Sequence, residues 1–209
     1  MARAISLKTL YGKSFDEYEF TGVWLDVLGQ PEKGKVWLIY GNEKNGKTLF
    51  ALKLAEYLSQ FDPVYYISAE EGTGKSFQQN AKNRAKMDVK KTNIKFLEYT
   101  ELDEVEKILS RRKPPKVLFF DNMTVYNDEL AYGRFKKFIM KYPKTTMVFI
   151  AHEERGEPYT ATAKLCKRLA RYILRVKGMA AFVSGSCPGG TIVIDEHSAQ
   201  LCHGSQINN

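Results

Sequence analysis

The stretch Gly41-Asn42-Glu43-Lys44-Asn45-Gly46-Lys47-Thr48 has the residue types and spacing that a chain of phosphates requires. Its two glycines permit a tight turn with backbone amides pointing inward. Lys47 can neutralise the outer phosphates, Thr48 offers a hydroxyl to magnesium, and with Leu49 they stand at the start of the helix that receives the anion. A second stretch, Ala69–Ser76 (AEEGTGKS), fits the same pattern if alanine is allowed at the first position. It places Glu70 and Glu71 where a triphosphate would lie, which costs energy unless a metal or a proton intervenes. The residues QQNAKNRAKM just beyond it have no apolar stripe, so this stretch reads as a turn entering a surface helix.

The acids at its start have a different use. They stand just past the strand that comes after the first loop's helix, at the strand ends where ligands of an open parallel sheet lie. From there Glu70 or Glu71 could orient a water near a terminal phosphate, or both could be solvated loop acids. Asp121 ends the most strand-like run, KVLFFD, and is placed to hold magnesium through water opposite Thr48. Its neighbour is Asn122 rather than Glu, so a general base beside Asp121 is missing and the distant acids become more necessary.

These residues need a scaffold that brings separated strand ends together. Strand-like runs are expected at 35–40, 64–68, 93–99, 116–121 and 145–152, with helices at 48–61, 102–112 and 129–142 and a basic surface helix after Ser76. That alternation predicts an α/β fold with a mostly parallel sheet and helices on both faces. After His152 comes a polar loop of about a dozen residues, EERGEPYTATAK, then one or two turns of helix in LCKRLA. RYILRVKG, MAAFVSG and TIVIDE come next as antiparallel strands at the sheet's C-terminal edge. Residues 1–34 read as a lead-in packed on the core, and 1–209 as one domain.

The composition is that of an ordinary globular chain, 209 residues with 44% hydrophobic and 27% charged. No apolar stretch approaches the roughly 20 residues of a membrane span, and the first residues lack a signal peptide's apolar centre, which predicts a cytoplasmic protein. Three cysteines, Cys166, Cys187 and Cys202, suit a reduced compartment. Cys187, His197, Cys202 and His203 match no common zinc spacing, so the cysteines are expected to pack in the edge sheet. The net charge of +8 favours polyanionic partners or simply a soluble basic surface.

With a phosphate loop, then YYISAEE, then a terminal strand Asp without a neighbouring Glu, the sequence resembles the RecA/RadA-like core ATPases over residues 22–204. The resemblance implies a RecA-like three-layer fold that binds ATP and Mg²⁺ and hydrolyses the nucleotide. It implies Glu70 as the acid that orients water and His152, at the end of VFIAH, as a γ-phosphate sensor. It makes EERGEPYTATAK, within 153–166, a mobile DNA-binding loop, and makes Lys177 in RVKGMAAF a residue reaching a neighbouring subunit's nucleotide. His152 could equally be a satisfied strand-end histidine.

A short core without extra domains is most similar to the phage-type group, some of which are single-strand annealing recombination proteins. A homo-oligomer with nucleotide at subunit interfaces and single-stranded DNA as partner are thus implied. Arg155, Lys164, Lys167 and Arg168 would meet phosphates and Tyr159 could stack a base, unless this is a solvated basic surface. Two alternatives stand beside this reading: a small-molecule kinase using the same loop, and a nucleotide-gated binding module with little turnover.

Overall fold

The computed structural model describes residues 4–204. Helix α1 (Leu7–Tyr11) and helix α2 (Gly22–Leu28) precede strand β1 (Val36–Gly41). Then come α3 (Lys47–Leu58), β2 (Val64–Ser68), α4 (Lys75–Gln79), β3 (Ile94–Glu98), α5 (Leu102–Leu109), β4 (Val117–Asp121) and α6 (Arg134–Lys141). The C-terminal part holds β5 (Thr146–Glu154), β6 (Glu157–Pro158), α7 (Ala161–Leu169), β7 (Tyr172–Lys177), β8 (Ala180–Gly185), β9 (Gly190–Val193) and α8 (Glu196–His203).

The sheet order is β3-β2-β4-β5-β1-β7-β8-β9, with β6 paired to β5. β3 through β7 run parallel, and β8 and β9 are added antiparallel at the edge. Central strands are apolar on both faces because helices cover both. Alternate residues feed two cores: Trp37, Ile39 and Phe119 join α3, while Leu38, Phe120 and Phe149 join the α5–α6–α7 side. No described helix is long and apolar enough to cross a membrane.

Five of the six parallel strands, β1 to β5, fall where the apolar runs predict them. The sixth, β7 in RYILRVKG, is expected antiparallel but pairs parallel with β1, so only β8 and β9 reverse at that edge. Several neighbours differ. The basic surface helix is only α4, which widens into a π-helical turn at Asn80–Arg84 before the chain turns at Lys86, whose φ is 55°. The expected helix 129–142 starts later, at Arg134 behind a left-handed Gly133. The lead-in packs on the core through Tyr18 and Phe20, both buried, whereas α1 buries no side chain. Helix α8 has no counterpart among the expected elements.

The stretch after His152, expected as a loop, forms a hairpin and the start of a helix. β5 runs on to Glu154, Arg155 and Gly156 turn with φ of 52° and 86°, and the Thr160 hydroxyl caps α7 by accepting from the Ala163 amide. The cysteines also depart from expectation. Cys166 is buried on α7, Cys187 lies between β8 and β9, and Cys202 is exposed on α8, so none sits in a strand. Among the described residues no group of three or more His, Cys, Asp or Glu side chains could hold a metal ion.

Candidate functional site

β5 lies between β1 and β4, so the ends of three separated strands converge. Register sets Gly41 beside His152 and Ser68 beside Asp121. A cleft of about 390 Å³ opens there, lined by Glu43, Lys44, Lys47, Thr48, Glu70, Glu71, Asp121, Asn122 and His152. Residues from the phosphate loop, the β2 end, the β4 end and the β5 end therefore face one space. A second cleft of about 320 Å³ shares Lys44, Lys47, Thr48 and Glu71 and continues past Leu49 to Asn80, Arg84 and Met179.

Close approach shapes the loop. A side chain on Gly41 would put its Cβ 2.1 Å from the Val176 carbonyl oxygen, so only glycine lets β7 lie against β1 there. Gly46 has a φ of 97°, and a Cβ on it would come within 2.5 Å of Met179 Sδ. Lys44 is also left-handed at 59°, which turns consecutive amides toward one side, the geometry of an anion nest. Asn45 ties the loop to the β7–β8 turn: its Oδ1 accepts from the Gly178 amide at 2.7 Å and its carbonyl from the Met179 amide at 3.3 Å.

The electrostatics of the cleft are those of buried charges of mixed sign. Lys47 is 8% exposed, and its ammonium donates to the Asn42 carbonyl at 2.9 Å. Desolvation lowers its pKa, opposed by the nearby Asp121 and Glu70 carboxylates. Burial raises the Asp121 carboxyl to about 6, while the Tyr66 hydroxyl, donating at 2.6 Å, and the Thr48 hydroxyl pull the other way. Glu70 is held from two sides. The Asn122 amide donates to its Oε2 at 3.0 Å, and His152 Nε2 lies 3.2 Å from both carboxylate oxygens and must be the donor. Two polar atoms beside the cleft, Ser68 Oγ and His152 Nδ1, are buried without a protein partner.

A magnesium ion fits this donor set. Asp121 is a buried carboxylate whose ionised form is only partly compensated by Tyr66, Thr48 and Lys47, Thr48 supplies a hydroxyl beside it, and Ser68 leaves an orphaned hydroxyl at the neighbouring strand end. Glu71 shares the lining but makes no hydrogen bond among the described side chains, so the geometry distinguishes it from the anchored Glu70.

Other sequence-named residues lie elsewhere. Lys177 ends β7, exposed, and does not line the cleft, although His203 Nε2 bonds its carbonyl at 2.9 Å. Arg155 is at the hairpin turn, and Lys164 and Arg168 are exposed on α7. Lys167 donates to both Glu157 oxygens at 2.8 Å and lies 5.1 Å from the Tyr40 ring centroid, so its charge is balanced within the fold. Arg175 spans β1 to grip Glu153 in a two-point contact at 2.9 and 2.7 Å.

Sequence reasoning passes over Tyr66, Ser68, Asn80 and Arg84. Tyr66 does carry a signal, a hydroxyl in the apolar run VYYIS that has to find a buried partner. Asn122 draws notice in the sequence only for not being Glu, yet its amide positions the acid.

The fold is similar to that of two archaeal structures. A KaiC-like protein from Pyrococcus horikoshii OT3 superposes with a TM-score of 0.57 at 15% identity, covering 81% of this chain and 86% of that one. The flagellar accessory protein FlaH from Methanocaldococcus jannaschii gives 0.56 at 14%, covering 86% and 92%. The three layers, the mostly parallel sheet and the antiparallel edge are thus RecA-like. No curated protein sequence matches the chain. The inactive STAND family matches residues 13–146, from the lead-in through the phosphate loop and β4 to the start of β5, and the chain belongs to that family.

Proposed function

We propose that the chain binds Mg²⁺–ATP in the cleft and hydrolyses it slowly, as a RecA-like nucleotide switch. The observation that carries this reading is the convergence of Lys47, Thr48, Asp121 and a doubly held Glu70 on one cleft. The Gly41–Thr48 amides and Lys47 would cradle the phosphates, and Thr48 and Asp121 would hold the metal. Bound magnesium would neutralise charge on the phosphate oxygens. Glu70 would orient the attacking water and accept its proton. His152 and Asn122 fix that carboxylate in place.

In the same reading, single-stranded DNA is the partner whose binding the nucleotide controls, as in phage-type recombination, and the chain assembles with copies of itself. A second reading, nucleotide binding with negligible turnover, is favoured by the description of its family as inactive. Calorimetry with ATP and GTP, and phosphate release with and without a single strand, separate the two. Glu70→Gln should retain ATP and lose any turnover, and Lys47→Ala should lose both. A wild-type chain that binds no nucleotide sinks both readings. Binding without measurable phosphate release leaves the second.

A further inference from the structure

The end of the sheet opposite the cleft carries several cations without a salt-bridge partner among the described residues. Four parallel strands begin there side by side, β4, β5, β1 and β7. Each is preceded by a cation: Lys116, Lys144, Lys35 and Arg171. Backbone bonds hold this alignment: Thr146 N donates to the Lys116 carbonyl at 2.8 Å, Met147 N to that of Lys35 at 3.1 Å, and Arg171 N to that of Val36 at 2.8 Å. At about 4.8 Å per strand the four span about 15 Å across the sheet, staggered along the strands by the register. The exposed run Arg111–Lys113 extends it beyond β4.

Lys35 is paired with Glu32 at 2.8 Å. Among the described residues, no carboxylate lies within ion-pair distance of Lys116, Lys144, Arg171 or the Arg111–Lys113 run. On the hairpin side Lys167 and Arg175 are neutralised by Glu157 and Glu153, which leaves Arg155, Lys164 and Arg168 as separate exposed cations on a turn and a helix, rather than side by side at adjacent strand starts.

Two open clefts flank Pro143 along the row. One, of about 440 Å³, takes Lys116 and Lys144 together with Phe15, which is 57% exposed; its acids Asp16, Asp62 and Glu32 are paired with Lys33 and Lys35. The other, of about 460 Å³, takes Lys35 and Arg171 with Ile139, Met140 and Leu169. A staggered line of cations bordered by concave recesses suits a phosphate backbone whose bases can leave the stack and enter them. A duplex keeps its bases inside, and a membrane needs a protruding apolar surface rather than recesses.

From this juxtaposition we infer that the strand-start edge, rather than the hairpin after β5, is where the chain engages a single strand of nucleic acid. The inference rests on the polyanion partner of the proposed function, but not on nucleotide binding or turnover.

Anisotropy of a fluorescein-labelled oligothymidylate, with the full chain and no ATP, tests it. The triple variant Lys116→Glu/Lys144→Glu/Arg171→Glu should bind at least about 30-fold more weakly, and its log–log salt slope should fall by about 2. The milder Lys116→Gln/Lys144→Gln/Arg171→Gln should lose less, and Phe15→Ala about 5-fold, with unchanged circular dichroism in each. Arg155→Glu/Lys164→Glu should bind as wild type.

Duplex of equal length should bind at least about tenfold more weakly. The inference is overturned if the folded edge variants bind normally, if the hairpin variant takes the loss, or if wild type prefers duplex. It is also overturned if wild type ignores the oligonucleotide, whether or not it binds phosphatidylserine vesicles.

Discussion

The two ends of the parallel strands are built on opposite electrostatic plans. At the ends where the strands finish, Lys47 and Asp121 are buried, of opposite sign, and each is displaced from its ordinary titration by desolvation. Where the strands start, Lys116, Lys144 and Arg171 are exposed and of one sign, with no ion-pair partner among the described residues. Buried mixed charges select a ligand by geometry and resist salt, whereas exposed like charges select by field and yield to salt. One regular backbone thus presents two electrostatic environments, because the loops at its two ends differ in depth.

The comparison can be broken most sharply at Lys47. Lys47→Ala should weaken ATP binding at least about 100-fold, about 3 kcal/mol, and leave oligonucleotide binding unchanged when no ATP is present; titration calorimetry and anisotropy read the two separately. An equal loss in both without ATP would mean that the cleft itself holds the strand.

Next in size is a stability effect at Asp121. Burial lifts this carboxyl from 3.8 to about 6, so the folded chain keeps its proton to higher pH than the unfolded chain does. Stability without metal should therefore fall as pH rises from about 4 to about 6 and then level. Asp121→Asn should remove that dependence and stabilise the metal-free chain near pH 8 by about 2–3 kcal/mol in urea unfolding, while losing the magnesium dependence of ATP binding. A variant less stable than wild type at pH 8 would show that Asp121 is not strained by its burial.

Salt separates the ends by a smaller factor. Raising it from about 50 to about 200 mM should weaken oligonucleotide binding about 20-fold if three phosphates are contacted, and change Mg²⁺–ATP binding less than about 2-fold. Matching salt responses would erase the distinction. The smallest effect concerns a half-exposed cation at the cleft end that is locked to a buried acid. The Glu153 side chain is 4% exposed, so Arg175→Gln should cost about 1–2 kcal/mol of stability by thermal or urea melting, whereas Lys144→Gln should cost about nothing.

Much of the cleft end is legible in the sequence. The loop Gly41–Thr48, the strand ending in Asp121 and the acids after VYYIS are local patterns, and local patterns carry local geometry. What holds Glu70 is not legible, since Asn122 and His152 are 52 and 82 residues from it and meet it only through strand order. The stretch after His152 looks like a linker because its residues are polar, yet two left-handed positions at Arg155 and Gly156 make it a hairpin. The basic row is invisible for the same reason as the Glu70 contacts: its members come from four stretches, and only the sheet's register lines them up.

Asn45 joins the phosphate loop to the β7–β8 turn through two hydrogen bonds, and His203 of α8 in turn bonds that turn's first residue, Lys177. The loop is therefore braced before any ligand arrives. A nucleotide entering it meets amides already aimed, and the entropy that a floppy loop would lose on binding has already been lost during folding. Affinity at the cleft is thus supported by the C-terminal hairpin and helix, which lie beyond the stretch that defines the family.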